Sequence, residues 1–208
     1  MVLTGKDFDP KTREEHLFAV LSSNRFLKKE GIGGEVPFFI NPYPPAASVE
    51  MDQIREALKR RLASRGIEVA DINLYDLSIG ILRDRGIFDQ VIENESSFDK
   101  SELLETFQGV LDPAEHLVPA ISRELSRAEY RVLFLSGIGE VYPFIRAHSV
   151  LNNLQSAVKS IPTLLFFPGT YTQTMEKGAS LVLFDREDLH DDKYYRAFNI
   201  LSSQGDQQ

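Results

Sequence analysis

Apolar residues along the chain come in two patterns. Short, nearly continuous runs occur at Phe38 to Ile40, Val132 to Leu135, Thr163 to Phe167 and Leu181 to Phe184. A run that short, without polar alternation, suits a strand covered on both faces, as in a parallel sheet. Between them, apolar residues recur at helical spacing. Met51, Ile54, Leu58 and Leu62 form one such stripe, with Ser48 as its expected N-cap and Gly66 at its end. Ile67 to Leu74 is predicted as the second strand, so strand, helix and strand form a βαβ unit with parallel strands. The first strand is placed at Phe38 to Asn41, because Pro42 and Pro44 favour a stiff extended loop after it.

Other segments complete the prediction. Lys11 to Lys29 reads as one helix stopped by Gly31. Asp76 to Gln108 reads as helical pieces, with Ser101 capping the third. Asp112-Pro113-Ala114-Glu115 combines an N-cap aspartate, proline at N1 and glutamate at N3, and Leu117, Ile121 and Leu125 follow at helical spacing. After the third strand, two glycines lead to a predicted helix with Pro143 in its first turn, packed through Ala147, Leu151, Leu154 and Val158. Pro168-Gly169 is expected to break the fourth strand, and Thr170 to Gly178 to form a polar loop. The fifth strand follows after too short a link for a helical crossover, which favours an antiparallel edge. Asp191 or Asp192 is expected to cap a last helix carrying Tyr194, Tyr195, Phe198 and Leu201. The expected fold is α/β: a single three-layer domain over residues 1–208, with a mostly parallel sheet of about five strands. A helical insertion, 76–126, falls between strands two and three, and 1–10 and 202–208 are expected to be flexible.

The composition narrows the chemistry. Twenty-three basic against 31 acidic residues leave a net charge of −8, so nothing forces a basic, nucleic-acid-binding face. The chain has no cysteine, which excludes a disulfide scaffold, thiol catalysis and thiolate-bound metal. No apolar run approaches the ~20 residues of a membrane span, and the first residues lack the apolar core of a signal peptide. A soluble, cytoplasmic protein is expected.

Candidate sites are judged against plainer alternatives. Ser136-Gly137-Ile138-Gly139-Glu140, between a strand and a helix, has the grammar of a phosphate cradle. It lacks the lysine of a P-loop and the third glycine of a dinucleotide fingerprint, and Glu140 puts negative charge where a phosphate would sit. A degenerate P-loop-like nucleotide module therefore stands as the alternative to a plain turn that requires positive φ, or to a partner-binding loop. If the strands are parallel, Asn41, Tyr43, Ser136, Gly137, Glu140, Pro168, Gly169 and Tyr171 emerge, with Gly139 of the same turn, at the sheet's carboxyl edge, where open α/β sheets place their sites. Arg146 reaches outward from the helix behind it, and His148 fits a hydrogen-bonded, half-buried histidine. Asp185, Glu187, Asp188, His190, Asp191 and Asp192 crowd into eight residues and could hold a hard cation for a hydrolase or nuclease. A solvated loop before a helix explains the same residues. The basic side of the Met51 helix, Arg55 to Arg65, reads as a solvated face. No nucleophile elbow or other catalytic constellation is found.

Five blocks together carry a resemblance: Pro37-Phe38-Phe39-Ile40-Asn41-Pro42-Tyr43; Ile72-Asn73-Leu74-Tyr75-Asp76; the stretch from Leu135 to Arg146; Leu165-Phe166-Phe167-Pro168-Gly169; and Tyr194-Tyr195-Arg196-Ala197-Phe198. Their combination resembles the BrxB family of bacterial BREX phage-exclusion systems. The resemblance implies a role in phage defence and in self-marking methylation of host DNA. It also implies protein partners: a PglZ-type protein, a BrxC-type ATPase and a PglX-type methyltransferase. It supplies no catalytic residues, cofactor or metal. The expected role is a non-catalytic adaptor that docks the PglZ-type component through the carboxyl-edge residues named above, Arg146, and the Tyr194-Tyr195 end.

Overall fold

A computed structural model describes residues 8–28, 38–94, 97–174, 178–191 and 197–203. Helices α1 (Pro10–Leu21) and α2 (Asn24–Leu27) precede β1 (Phe38–Tyr43) and α3 (Ser48–Ala63). Next come β2 (Val69–Asn73), four helices, and β3 (Val132–Ser136). The four are α4 (Leu74–Asp84), α5 (Phe88–Asn94), α6 (Lys100–Val110) and α7 (Val118–Leu125), and they occupy the expected place between strands two and three. Helix α8 (Ala147–Ala157) is followed by β4 (Thr163–Thr174), β5 (Gly178–Leu183), β6 (His190–Asp191) and β7 (Ala197–Asn199).

The parallel body of the sheet has the order β2-β3-β4-β1-β7. Its strands alternate between two cores. Phe39, Phe134, Leu164 and Phe166 face α1 and α3, where Leu17, Leu21, Met51, Leu58 and Leu62 are buried. Phe38, Ile40, Leu133, Leu135, Leu165 and Phe167 face the other way, onto α4, α7 and α8. Helix, sheet and helix layers are therefore what the continuous apolar runs require: each strand residue finds apolar cover on whichever side it faces.

Several boundaries differ from those predicted. The first helical segment is two helices, because Ser23 caps a new start at Asn24 by accepting from the Phe26 amide. Strand β1 runs through Pro42 to Tyr43. Its outer neighbour β7 pairs only as far as Ile40, so the missing proline N–H falls where no ladder bond is asked of it. Ser48 is not the cap of α3: a short 3₁₀ turn, Pro45–Ala47, leads into the helix, and the Ser48 hydroxyl donates back to the Pro45 carbonyl. Asp99, not Ser101, caps α6, in a full capping box with Glu102.

Three corrections matter more. The segment 138–146 is a set of turns containing a cis Tyr142–Pro143 bond, and the helix starts only at Ala147. Ile138, Val141 and Ile145 are buried along these turns, so packing organises them together with two isolated i→i−4 bonds, Val141 to Gly137 and Ile145 to Val141. Strand β4 does not break at Pro168-Gly169. Gly169, at φ 147°, lets it bend and continue as one arm of an antiparallel hairpin with β5. Thr170 and Thr172, read as loop, flank buried Tyr171 with outward-facing polar side chains, as in a half-solvated hairpin. The expected last helix is contradicted at Ala197–Asn199, which is a strand parallel to β1. Its helical spacing was coincidental: Ala197 is buried and Phe198 exposed, the alternation of a strand. Tyr194 and Tyr195 lie outside the described residues.

Candidate functional site

The carboxyl edge of the parallel body is built from the turns after β1, β2 and β3 and the bend in β4. At the end of β2, Asn73 accepts hydrogen bonds from the Tyr75 and Asp76 amides, at 2.7 and 3.3 Å, and so caps α4. The neighbouring Gly137 lies flat against this cap. A β-carbon there would sit 2.4 Å from Asn73 Oδ1, and the backbone is at φ 78°. Gly139 lies under the Phe184 ring, 2.8 Å from where its β-carbon would be. Both glycines are thus explained by close approach of neighbouring groups.

Two amides of the turn are spent internally. Those of Glu140 and Val141 donate to the Gly137 carbonyl at 3.1 and 3.2 Å. The nearest downstream helix begins at Ala147, with Arg146 at its N-cap. A phosphate held at 136–140 would find the Glu140 amide already committed and no helix N-terminus behind the turn, the feature that most favours such anions. It would also meet acid. Partial burial, followed by the charges of Asp52 and Asp76, pushes the Glu140 carboxyl above its ordinary range, against a lowering hydrogen bond from Asn73.

The predicted site residues separate into two groups. Glu140 and Arg146 are exposed at the rim. The others are structural. Asn41 is fully buried: it accepts from Arg13 Nη1 at 3.1 Å and donates to Met51 Sδ at 3.3 Å. Tyr43 is buried beside Ser48, and burial drives its phenol up to about 12. Ser136 is buried. Gly169 is pinned with its would-be β-carbon 2.1 Å from the Val182 carbonyl oxygen. Tyr171 is buried and donates its hydroxyl to the Ala197 carbonyl at 2.7 Å, tying the hairpin to β7. His148 is buried, with Nε2 3.0 Å from the Ser149 hydroxyl.

The acidic cluster is divided. Asp185 accepts from Thr170 at 2.6 Å, and Asp188 takes a two-point contact from Arg186 at 3.1 and 2.6 Å. Among the described residues, no three histidine or carboxylate groups converge as metal ligands would. The basic side of α3 is not simply solvated, which corrects the sequence reading. Arg55 and Lys59 both bridge to Asp71 on β2, Lys59 at 2.7 Å. Burial, the largest single influence, works against both cations, and the neighbouring carboxylates, Asp71 foremost, together outweigh it, so both are raised. Arg61 bridges to Glu14 and Glu15 and stacks on Phe18.

Sequence reasoning missed what the rim exposes. Val49 on α3, Tyr75 on α4 and Phe184 after β5 are large apolar side chains that are 69%, 45% and 37% exposed. All three belong to the carboxyl edge by their place in the chain, around Asp52, Asp76 and Glu140. The signal for Asn73 was present, since Asn-Leu-Tyr-Asp has the form of a helix start, but the strand prediction ran over it.

The fold and rim define an α/β protein of mostly parallel topology whose carboxyl edge is bordered with acid and exposed apolar side chains. A family model described as "BREX protein BrxB" matches residues 70–200. The chain is 29% identical over 191 residues to the BREX protein BrxB of Bacillus cereus (strain H3081.97), covering 91% of this chain and 96% of that one. It is 30% identical over 187 residues to the BREX protein BrxB of Escherichia coli O9:H4 (strain HS), covering 89% and 88%. The chain belongs to the BrxB family and is therefore a component of a BREX system. No solved structure matches it. Among the described residues, no helix is long and apolar enough to cross a membrane.

Proposed function

We propose that this chain is a non-catalytic adaptor of a BREX bacteriophage-defence complex. It docks a PglZ-type partner through the carboxyl rim and, through that complex, supports host DNA methylation and phage restriction. A BrxC-type ATPase and a PglX-type methyltransferase complete the expected set of companions. The observation that carries the reading is the exposure of Val49, Tyr75 and Phe184 around an acidic centre. Apolar side chains grouped at a functional edge favour contact with another protein surface. The 136–140 turn supports it further, because its Glu140 amide is already committed and no helix N-terminus stands behind it.

The test is co-purification of the chain with each companion separately. The wild type should retain the PglZ-type protein. A Tyr75→Ala, Phe184→Ala double variant, folded by circular dichroism, should lose it and should lose phage restriction in cells. If no companion co-elutes with the wild type while the companions still assemble with one another, the adaptor reading fails.

A further inference from the structure

Strand β2 is the outermost strand of the parallel body. Beside it runs a groove of about 420 Å³, lined among others by Arg55, Asp71, Asn73, Asp76, Glu124 and Tyr130. The direction of the strand's backbone groups follows from its neighbours. Leu133 donates its N–H to the Pro162 carbonyl, so Leu133 turns toward β4 and Phe134 toward β2. Phe134 is in register with Asp71. In a parallel ladder one member of such a pair bonds across it while the other turns away. Ala70 and Ile72 therefore bond to β3, and the N–H and C=O groups of Val69 and Asp71 point outward. The Glu68 carbonyl, in phase with Ala70, also turns toward the β3 side, where it accepts from the Arg131 amide just ahead of that strand. Among the described residues, no strand pairs with β2 on its outer side.

Open edges of this kind invite strand addition, and proteins block them with proline, bulges or cover. No proline interrupts Val69–Asn73, and the outer side opens onto the groove. We propose that β2 accepts an extended, basic segment of a partner protein as an added strand. The sign of the charge comes from the lining and the cations bridged to it: Glu56, Asp71, Asp76 and Glu124 stand against Arg55, Lys59 and Arg127, which leaves the groove acidic by one charge. A second copy of this chain would bring the same acidic lining to face itself, which like-charge repulsion opposes. An acidic segment fails for the same reason. Main-chain bonds to Val69 and Asp71 hold such a segment, and the carboxylates select its lysines and arginines. This surface adjoins the rim at Asn73 and Asp76 but relies on β2 backbone groups that the apolar trio does not supply, and the inference stands whether or not the rim docks a partner.

The probes are short labelled peptides of alternating valine and lysine, or valine and glutamate, titrated into the full chain by fluorescence anisotropy. The lysine peptide should bind and the glutamate peptide should not. Bound lysine peptide should slow hydrogen exchange at the Val69 and Asp71 amides and leave those of β3 unchanged. Val69→Pro, which removes an outward donor, and separately Glu124→Lys, which reverses one wall charge, should each weaken binding by about tenfold. Binding of neither peptide, equal binding of both, or binding that leaves those two amides unprotected overturns the proposal. So does a dimer, seen by light scattering, that Val69→Pro dissolves, since a second copy would then be the occupant.

Discussion

The turns after β2 and β3 leave the sheet side by side, and they are built in opposite ways. The β2 turn takes no residues at all: Asn73 ends the strand, caps the helix, and α4 begins at Leu74. The β3 turn spends ten residues, 137–146, before α8 begins. The first therefore has the helix N-terminus that an anion site needs, but fills it with its own side chain. The second has the glycines that such a site is known by, but no helix behind them. The two are also one contact, because Gly137 rests on the Asn73 carboxamide. A glycine-rich turn after a buried strand is thus explained by what presses on it.

That contact can be broken from either side. Gly137→Ala should have the largest effect. It forces a positive φ and a 2.4 Å overlap on the cap, and it should cost about 3 kcal/mol in chemical denaturation. Asn73→Ala should cost about 1 kcal/mol, the usual loss of a helix cap. In the double variant the overlap disappears with the carboxamide, so its cost should fall short of the sum of the two single costs by roughly 1 kcal/mol. Strict additivity would show that the glycine is needed for its φ alone.

The smallest effect sharpens the electrostatic half of the comparison. Glu140 is raised above its ordinary value of 4.5, chiefly by burial and then by Asp52 and Asp76. In the window just above that value the folded chain binds more protons than the unfolded one, so stability falls as pH rises through it. Glu140→Gln should remove that slope and raise the Tm at neutral pH by about 1 °C, a small gain because the side chain is exposed. An unchanged slope in a pH series of thermal melts would place the acidic strain elsewhere on the rim.

The body of the fold was legible because burial writes itself into composition. Val132–Leu135 and Leu164–Phe167 had to be strands covered on both faces, and the Met51, Ile54, Leu58, Leu62 stripe had to be a helix with one buried side. The Asp112 cap was equally plain, since its side chain serves amides two and three residues away. Less of the candidate site was legible. Position at the carboxyl edge followed from parallel strands, and Glu140 and Arg146 are indeed exposed there. Asn41, Tyr43 and Tyr171 are buried instead, because polar atoms on a strand can be satisfied by partners distant in sequence: Arg13 lies 28 residues from Asn41, and Ala197 lies 26 from Tyr171.

Local sequence, then, settled which segments are strands and helices wherever the cause lies within a few residues: apolar period, cap, proline. It also carried the family, through blocks spread along the chain. Tertiary structure alone decided the strand order, the bend of β4 at Gly169, the attachment of Ala197–Asn199 to β1, and which polar groups meet solvent. Each of those depends on groups brought together from far along the chain, where pairing and close packing, not local preference, determine the free energy.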